Sequence, residues 1–343
     1  SFQAEGITNS NMAFLGAATA YAQGTTPYGY ESTVRRVGVT GNFNYTYADR
    51  YFVDGTFKTE GSSQFGKDNR FAPFFSVGAG WNIHNEKFLK GNNLINVARL
   101  RLSYGTSGSQ SFSPYQALTS YKSIDGYNFN GLYGVKLMGI GNSELKWQKT
   151  KQWNVGLDLE LIKNRFALNF DFYNKLTDDL LSDVNLPTSA GFSSFKGNVG
   201  QVENRGFELG ANAYLIRDTK KQLIWSVGGT MIHNVNKIKK ISNYLEYLNS
   251  LMENEEDVNP SFMYKEGESI NTIFAVRSQG IDPSNGKEIY VKKDGSLTYV
   301  WDSKDKVACG INEPKFLGTF NTRLRYQGWQ LSAIFSYRFG GQI

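Results

Sequence analysis

Few residues in this chain combine the type and spacing that chemistry requires. Asp158 and Glu160 stand close together in VGLDLEL, with Asp171 in FDFYN and Glu208 in GFELG. Paired carboxylates can divide general-acid and general-base work at a glycosidic bond. Placed on the polar side of an alternating pattern, the same residues make a hydrated wall, and the alternation favours that reading. Glu253–Asp257 (ENEED) gathers oxygen ligands of the kind calcium takes, yet reads as a solvated acidic run. Asp282–Gly286 (DPSNG) is a turn, because the later ligand positions of a calcium loop do not fit. His84 and His233 are far apart and receive no role, and Cys309 is the one cysteine. That inventory excludes a multi-histidine metal centre, a cysteine zinc site and an internal disulfide framework. No nucleophile elbow, phosphate loop or metal motif occurs. The expectation is therefore a protein without catalytic residues, resident metal or cofactor.

The carboxylates sit in strands. Trp153, Val155, Leu157, Leu159 and Leu161 are apolar and alternate with Asn154, Gly156, Asp158 and Glu160. After Lys163-Asn164 the pattern resumes at Phe166, Leu168, Phe170 and Phe172, with Asn169 and Asp171 on the other side. Period-two alternation across a tight turn is the mark of a half-buried hairpin. The design recurs at 37–47, 51–57, 75–83, 99–104, 207–215, 223–231, 316–326 and 329–339, about ten strands in all. In one of them Leu100, Leu102 and Tyr104 oppose Arg99, Arg101 and Ser103. Many run ~10–15 residues, against ~5–6 in ordinary sheets and ~9–11 needed to cross a bilayer at a tilt. Short connections at 48–50, 163–164, 217–222 and 327–328 alternate with long ones at 61–70, 107–145, 178–200 and 239–315. Outer-membrane barrels have short periplasmic turns and long extracellular loops. Tyr45, Tyr47, Tyr51, Phe166, Trp225, Tyr326 and Trp329 gather beside the short turns, as an interfacial aromatic girdle would. Segments 270–281 and 288–301 alternate poorly. They are placed inside one extracellular loop with a turn at Asp282–Gly286, two further spanning strands being the alternative.

Composition agrees. The chain has 343 residues, is only 40% hydrophobic, and carries 24 Phe, 20 Tyr and 36 Gly. No stretch of ~18 apolar residues offers a transmembrane helix. A formal net charge of +6, without a long basic block, gives no footprint for nucleic acid. Met12–Gln23 has the look of a signal-peptide core, but no Lys or Arg precedes it, so it is read as loop.

Eight stretches, in order, resemble the SusC/RagA family of TonB-dependent outer-membrane transporters of Bacteroidota. They are Tyr51–Gly66 (YFVDGTFKTEGSSQFG), Phe74–Trp81 (FFSVGAGW), Ala98–Gly108 (ARLRLSYGTSG), Leu145–Asp158 (LKWQKTKQWNVGLD), Arg165–Leu180, Asn198–Leu209 (NVGQVENRGFEL), Gly280–Gly295 and Pro314–Gly318. The chain departs from the family where Lys58-Thr59-Glu60 replaces Arg-x-Asp and Gln64 replaces a second Arg.

The resemblance implies an all-β fold: a transmembrane antiparallel up-and-down barrel, of which this chain supplies about ten of 22 strands. Residues 1–32 are expected to be an extracellular loop segment and 33–343 the middle-to-late strands, with the plug domain and TonB box outside this chain. It further implies non-enzymatic, active import of oligosaccharides, or peptides, across the Gram-negative outer membrane. The implied partners are a SusD-like surface lipoprotein acting as a lid and the TonB-ExbB-ExbD complex acting on the plug. Outer-membrane lipid surrounds the barrel. Rival readings are a TonB-dependent siderophore or cobalamin receptor, a passive porin, and a soluble β-rich binding protein. Lumen-facing polar residues are expected at Asp158, Glu160, Asp171 and Glu208. Substrate or lid contacts are expected from loop aromatics, foremost Tyr115, Tyr121, Tyr127, Tyr133 and Trp301.

Overall fold

The computed structural model describes residues 4–5, 20–21, 33–110, 116–129, 132–139, 141–185, 194–198, 200–254 and 261–342. Ten strands form one antiparallel sheet. They are β1 (Arg36–Tyr47), β2 (Tyr51–Ser62), β3 (Phe71–Asn82), β4 (Ile95–Ser109), β5 (Gln148–Leu161), β6 (Phe166–Asp178), β7 (Gly200–Asp218), β8 (Leu223–Ile241), β9 (Phe316–Tyr326) and β10 (Trp329–Phe339). Each bonds to its sequence neighbour, so sheet order is chain order, an open up-and-down sheet.

The turns follow from local chemistry. Gln327-Gly328 joins β9 to β10 with φ of 43° and 88°. Positive φ at both central residues is what a two-residue hairpin matched to strand twist demands. Ala48 and Asp49, and Ile162 through Asn164, also take positive φ at the other short turns.

Register puts every alternating apolar set on one face. A row of paired residues runs Tyr47, Tyr51, Trp81, Leu100, Leu157, Phe170, Leu209, Met231, Gly318, Tyr337 across all ten strands. It starts at the last residue of β1, beside a short turn, and finishes near the long-loop end of β10. Nine strand spacings of ~4.8 Å make about 43 Å, and at a tilt near 40° such a row climbs about 28 Å, roughly one bilayer core. The stagger is that of a tilted membrane sheet. The apolar face has no protein cover: Val39 is 74% exposed, Phe335 59% and Trp329 82%. A face this large and this apolar needs a non-aqueous neighbour.

The long connections carry their own structure. Ser120–Phe129 pairs with Leu132–Gly139, and Leu181–Asn185 with Ser194–Asn198. Between β8 and β9, Arg277–Ile281, Glu288–Val291 and Leu297–Thr298 form a small separate sheet. Segment 270–301 is thus loop, not wall. The same connection contains helix α1 (Asn243–Asn254), which the alternation pattern did not announce. Ser242 starts it, its Oγ accepting from Leu245 N at 3.3 Å. Asn249 fixes it, its amide exchanging bonds of 2.6 and 2.9 Å with the Tyr264 backbone. Of the expected loop segment 1–32, only 4–5 and 20–21 fall among the described residues, as a short paired bridge.

Candidate functional site

The face opposite the apolar one is polar, and its centre is an ion cluster. Arg101 on β4 donates through Nε and Nη2 to both carboxylate oxygens of Asp158, each at 2.9 Å, and through Nη2 to Asp171 at 3.2 Å. Asn169 donates to Asp158 Oδ1 at 3.0 Å. Gly156 makes the space: a Cβ there would lie 2.6 Å from Arg101 Cζ and from Asp171 Oδ1. Glu208 pairs in register with Asp171, and Glu160 follows Asp158 on the same face. The four predicted carboxylates therefore share one face. A carboxylate held by a bidentate guanidinium and an amide is a structural charge, not a free acid or base. Arg101 stands on the polar side of the alternation of Arg99 and Arg101 against Leu100 and Leu102, and the sequence signal for its role is opposite charge on neighbouring polar faces.

Toward β8 the middle of the polar face is built of amides and hydroxyls, with Arg323 and Arg325 of β9 nearer the short turn. Tyr173 donates to Asn234 Oδ1 at 3.2 Å, Asn234 and Asn236 both donate to Asn204 Oδ1, and Thr230 meets Thr319 at 2.9 Å. The loop after α1 folds onto this face: Asn236 Oδ1 accepts from Ile270 N and Ser269 Oγ, and Ile238 N donates to Glu268 O. Met263, Thr272 and Phe274 are fully or nearly fully buried there.

At the long-loop end of β2–β5 the sheet opens. The β3–β4 ladder stops at Ser76–Gly105. Above it lies a groove lined by Thr56, Lys58, Glu60, Phe74, Thr106 and Gly108. Lys58 and Glu60, which replace the family's Arg and Asp, form an ion pair of 2.6 Å at its side. Phe65, Ala72, Phe74 and Trp147 close its head as a buried cluster, Phe65 stacking on Trp147 at 4.4 Å. Gly66 N donates to Leu145 O, and Trp147 Nε1 to Arg70 O. This clamp ties the β2–β3 connection to the foot of the 110–147 loop. The Phe65-Gly66 and Trp147 positions belong to the motifs recognised in the sequence, where nothing in their spacing showed that they meet.

Of the predicted contact aromatics, Tyr121 is exposed on the Ser120–Phe129 strand. The backbones of Tyr127 and Tyr133 lie in the same small hairpin, close to its turn, whereas Tyr115 lies outside the described residues. Trp301 belongs to the other long loop, with Lys306 Nζ 5.9 Å from its ring centre. Nearby, Asp282 accepts from Tyr299 Oη (2.6 Å), Ser284 Oγ (2.7 Å) and Ser284 N (2.8 Å). These donors, the Tyr299 hydroxyl first, hold its carboxyl down at about 2. They also fill its lone pairs, which fits the reading of this segment as a turn. Glu253 of the acidic run pairs with Lys265, and residues 255–257 of that run lie outside the described residues. No cluster of three metal-ligating side chains exists among the described residues.

At the short-turn end, Glu86 takes hydrogen bonds from Tyr51 Oη (2.6 Å), Trp81 Nε1 (3.0 Å) and Arg50 Nη1 (3.2 Å). The Tyr51 bond leads in holding this carboxyl below its ordinary range. Aromatic rings with polar tips turned to a charged cap are what a membrane interface selects.

An exposed apolar belt, a polar reverse face and alternating short and long connections define a segment of an outer-membrane β-barrel. The sequence profile of the family described as TonB dependent receptor-like, beta-barrel matches residues 4–342, and the chain belongs to that family. TonB-dependent receptor P3 of Formosa agariphila is 32% identical over 92% of this chain and 33% of its own length. TonB-dependent receptor SusC of Bacteroides thetaiotaomicron is 30% identical over 90% of this chain and 31% of its own. The structure of the RagAB peptide transporter superposes with a TM-score of 0.77 at 25% identity, covering 96% of this chain and 36% of that one. The chain is thus part of a SusC/RagA-type receptor of the outer membrane, and it spans about a third of the length of the relatives it matches.

Proposed function

We propose that this chain forms one side of the barrel of a TonB-dependent importer that takes up oligosaccharides without transforming them. Asp158, Glu160, Asp171 and Glu208 then face the lumen, with Arg101 as the counter-charge shared by Asp158 and Asp171. The single observation that carries this reading is the division of the ten-stranded sheet into one apolar and one polar face, along its whole width. Two features support a neutral, hydroxyl-rich cargo. The middle of the polar face along β8 carries a network of amides and hydroxyls, Asn204, Asn234, Asn236 and Thr230 with Tyr173 and Thr319, and the long loops present aromatics, Tyr121 and Trp301 among them, suited to sugar rings. In this reading a SusD-like lipoprotein covers the long-loop end and the TonB-ExbB-ExbD complex supplies energy. Peptide is the second reading, favoured by the superposition on the RagAB peptide transporter.

The test is calorimetry on the full receptor, extracted in detergent with any co-purifying lipoprotein, against oligosaccharide and peptide mixtures. Saccharide binding that weakens in Tyr121→Ala and Trp301→Ala supports the proposal. Binding of peptides alone replaces the cargo, and binding of a metal chelate alone overturns it in favour of a siderophore-type receptor. Uptake that persists without TonB overturns active import.

A further inference from the structure

The apolar face changes character at the long-loop end, and only on four strands. The outward row through Tyr104, Trp153, Asn174, Arg205 and Val235 is the last that holds large aromatics. Beyond it, outward positions on β5 carry Lys149 and Lys151 and those on β8 carry Lys237 and Lys239, and Arg205 on β7 stands at the border with its guanidinium 5.2 Å from the Phe172 ring. The outward carboxylates of this region are Asp178, paired with Lys151 at 2.8 Å, and Glu203, paired with Lys239 at 2.7 Å. Lys149, Arg205 and Lys237 are exposed and hold no ion pair among the described residues.

The other strands decide what this means. On β1, β2, β3, β9 and β10 no outward position carries a charge: the series read Val-Val-Gly-Phe-Tyr-Tyr, Tyr-Val-Gly-Phe-Thr-Gly, Phe-Pro-Phe-Val-Ala-Trp, Phe-Gly-Phe-Thr-Leu-Tyr and Trp-Leu-Ala-Phe-Tyr-Phe. Solubility of the rim would spread charge around the sheet. Here it is a strip about three strand spacings wide, ~14 Å, with a net surplus of cations. It continues the lipid-facing belt upward, at the depth where lipid headgroups begin. Being on the outer wall, it faces neither the cargo nor the loops.

We propose that the outward strip of Lys149, Arg205 and Lys237 is a docking surface for the phosphorylated headgroup of an outer-leaflet lipid. Trp153, Phe172 and Phe207 beneath it pack the acyl chains of the same molecule. Lys151 and Lys239, held by their carboxylates, space the three free cations apart, so several phosphate oxygens meet separate donors. The wall thereby gains a preferred lipid on one side of the barrel.

The experiment is native mass spectrometry of the full receptor in neutral detergent, titrated with phosphatidic acid and, separately, with phosphatidylcholine. A surface cation is worth about fivefold in affinity for an anionic lipid, so Lys149→Gln/Arg205→Gln/Lys237→Gln lowers phosphatidic acid binding by ~100-fold. Lys220→Gln/Lys221→Gln, in a short turn at the other end, leaves it unchanged. The heat-modifiable gel shift of both variants must equal wild type, which separates lost binding from lost folding. Equal binding by wild type and the triple variant overturns the proposal, as does equal binding of the two lipids. Displacement by millimolar inorganic phosphate reassigns the strip to a free anion and also overturns it. An acidic protein that co-purifies with the strip in place of lipid does the same.

Discussion

Replacing Gly66 by alanine should open the clamp without touching the barrel. Gly66 has φ −53° and ψ 154°, a conformation any residue adopts, so backbone strain plays no part. The obstacle is contact: a Cβ at this position would lie 1.8 Å from Ser143 O, where real contacts stay above 3.0 Å. The obstructing atom is backbone, so the two segments must part by about 1.2 Å, an overpacking that costs on the order of 1–3 kcal/mol. That displacement breaks the 3.3 Å bond from Gly66 N to Leu145 O and loosens the 4.4 Å stack of Phe65 on Trp147. Taking about 2 kcal/mol as the local loss, amide exchange across 62–66 and 142–147 should quicken by roughly 30-fold. Hydrogen–deuterium exchange on the full receptor in detergent measures it. Gly41→Ala is the control, since no atom lies within 4 Å of a Cβ there. Unchanged exchange in Gly66→Ala would refute the reasoning, and so would equal acceleration throughout β5–β8.

Arg101→Gln removes the shared cation from Asp158 and Asp171, and thermal unfolding in detergent should show a loss of about 1 kcal/mol, the value being discounted for the partial exposure of the cluster. Asp171→Asn added to Arg101→Gln should recover part of that loss, because one of the two abandoned carboxylates is gone. Asp282 has its folded value depressed to about 2, so its contribution to the 277–299 hairpin is complete above the ordinary carboxylate range and fades as pH falls toward that value. Tyr299→Phe should move the fading upward in pH, which NMR titration of the Asp282 carboxyl reads directly. Glu86→Gln should speed exchange in the 83–94 connection while leaving the long loops untouched, since Tyr51, Trp81 and Arg50 all converge on that one carboxylate.

What the sequence disclosed and what it withheld divide along contact range. The ten spanning strands, their faces and their short turns were legible because each rests on neighbours in the chain: alternation at Trp153–Leu161, the break at Lys163-Asn164, the Gln327-Gly328 turn. For 270–301 failed alternation favoured a loop but left two further spanning strands open, and only the separate small sheets of that connection decide it. Helix α1 was not legible, because its hold is the exchange between Asn249 and the Tyr264 backbone, a tertiary contact. Likewise Asp158 and Asp171 were visible as wall residues, yet the Arg101 that binds them lies across two strand pairings, 57 and 70 residues away. The clamp of Phe65, Phe74 and Trp147 had the same character: its motifs were recognisable one by one, and only the fold brings them together.

The coincidence of chain order and sheet order bears on how the wall is built. Most strand pairs close through a few residues, so each hairpin can zip onto the growing sheet with little entropy lost to loop closure. Three pairings are different. Joining β4 to β5, β6 to β7 and β8 to β9 means closing the loops from Ser109 to Gln148, from Asp178 to Gly200 and from Ile241 to Phe316. These are the slow joints of assembly, and each is prefolded on itself, the first two as hairpins and the third as a helix with two small sheets. Such internal order shortens the effective span that must be closed. The long loops are therefore also folding aids: they bring the free edge of a half-built wall to the strand that must extend it.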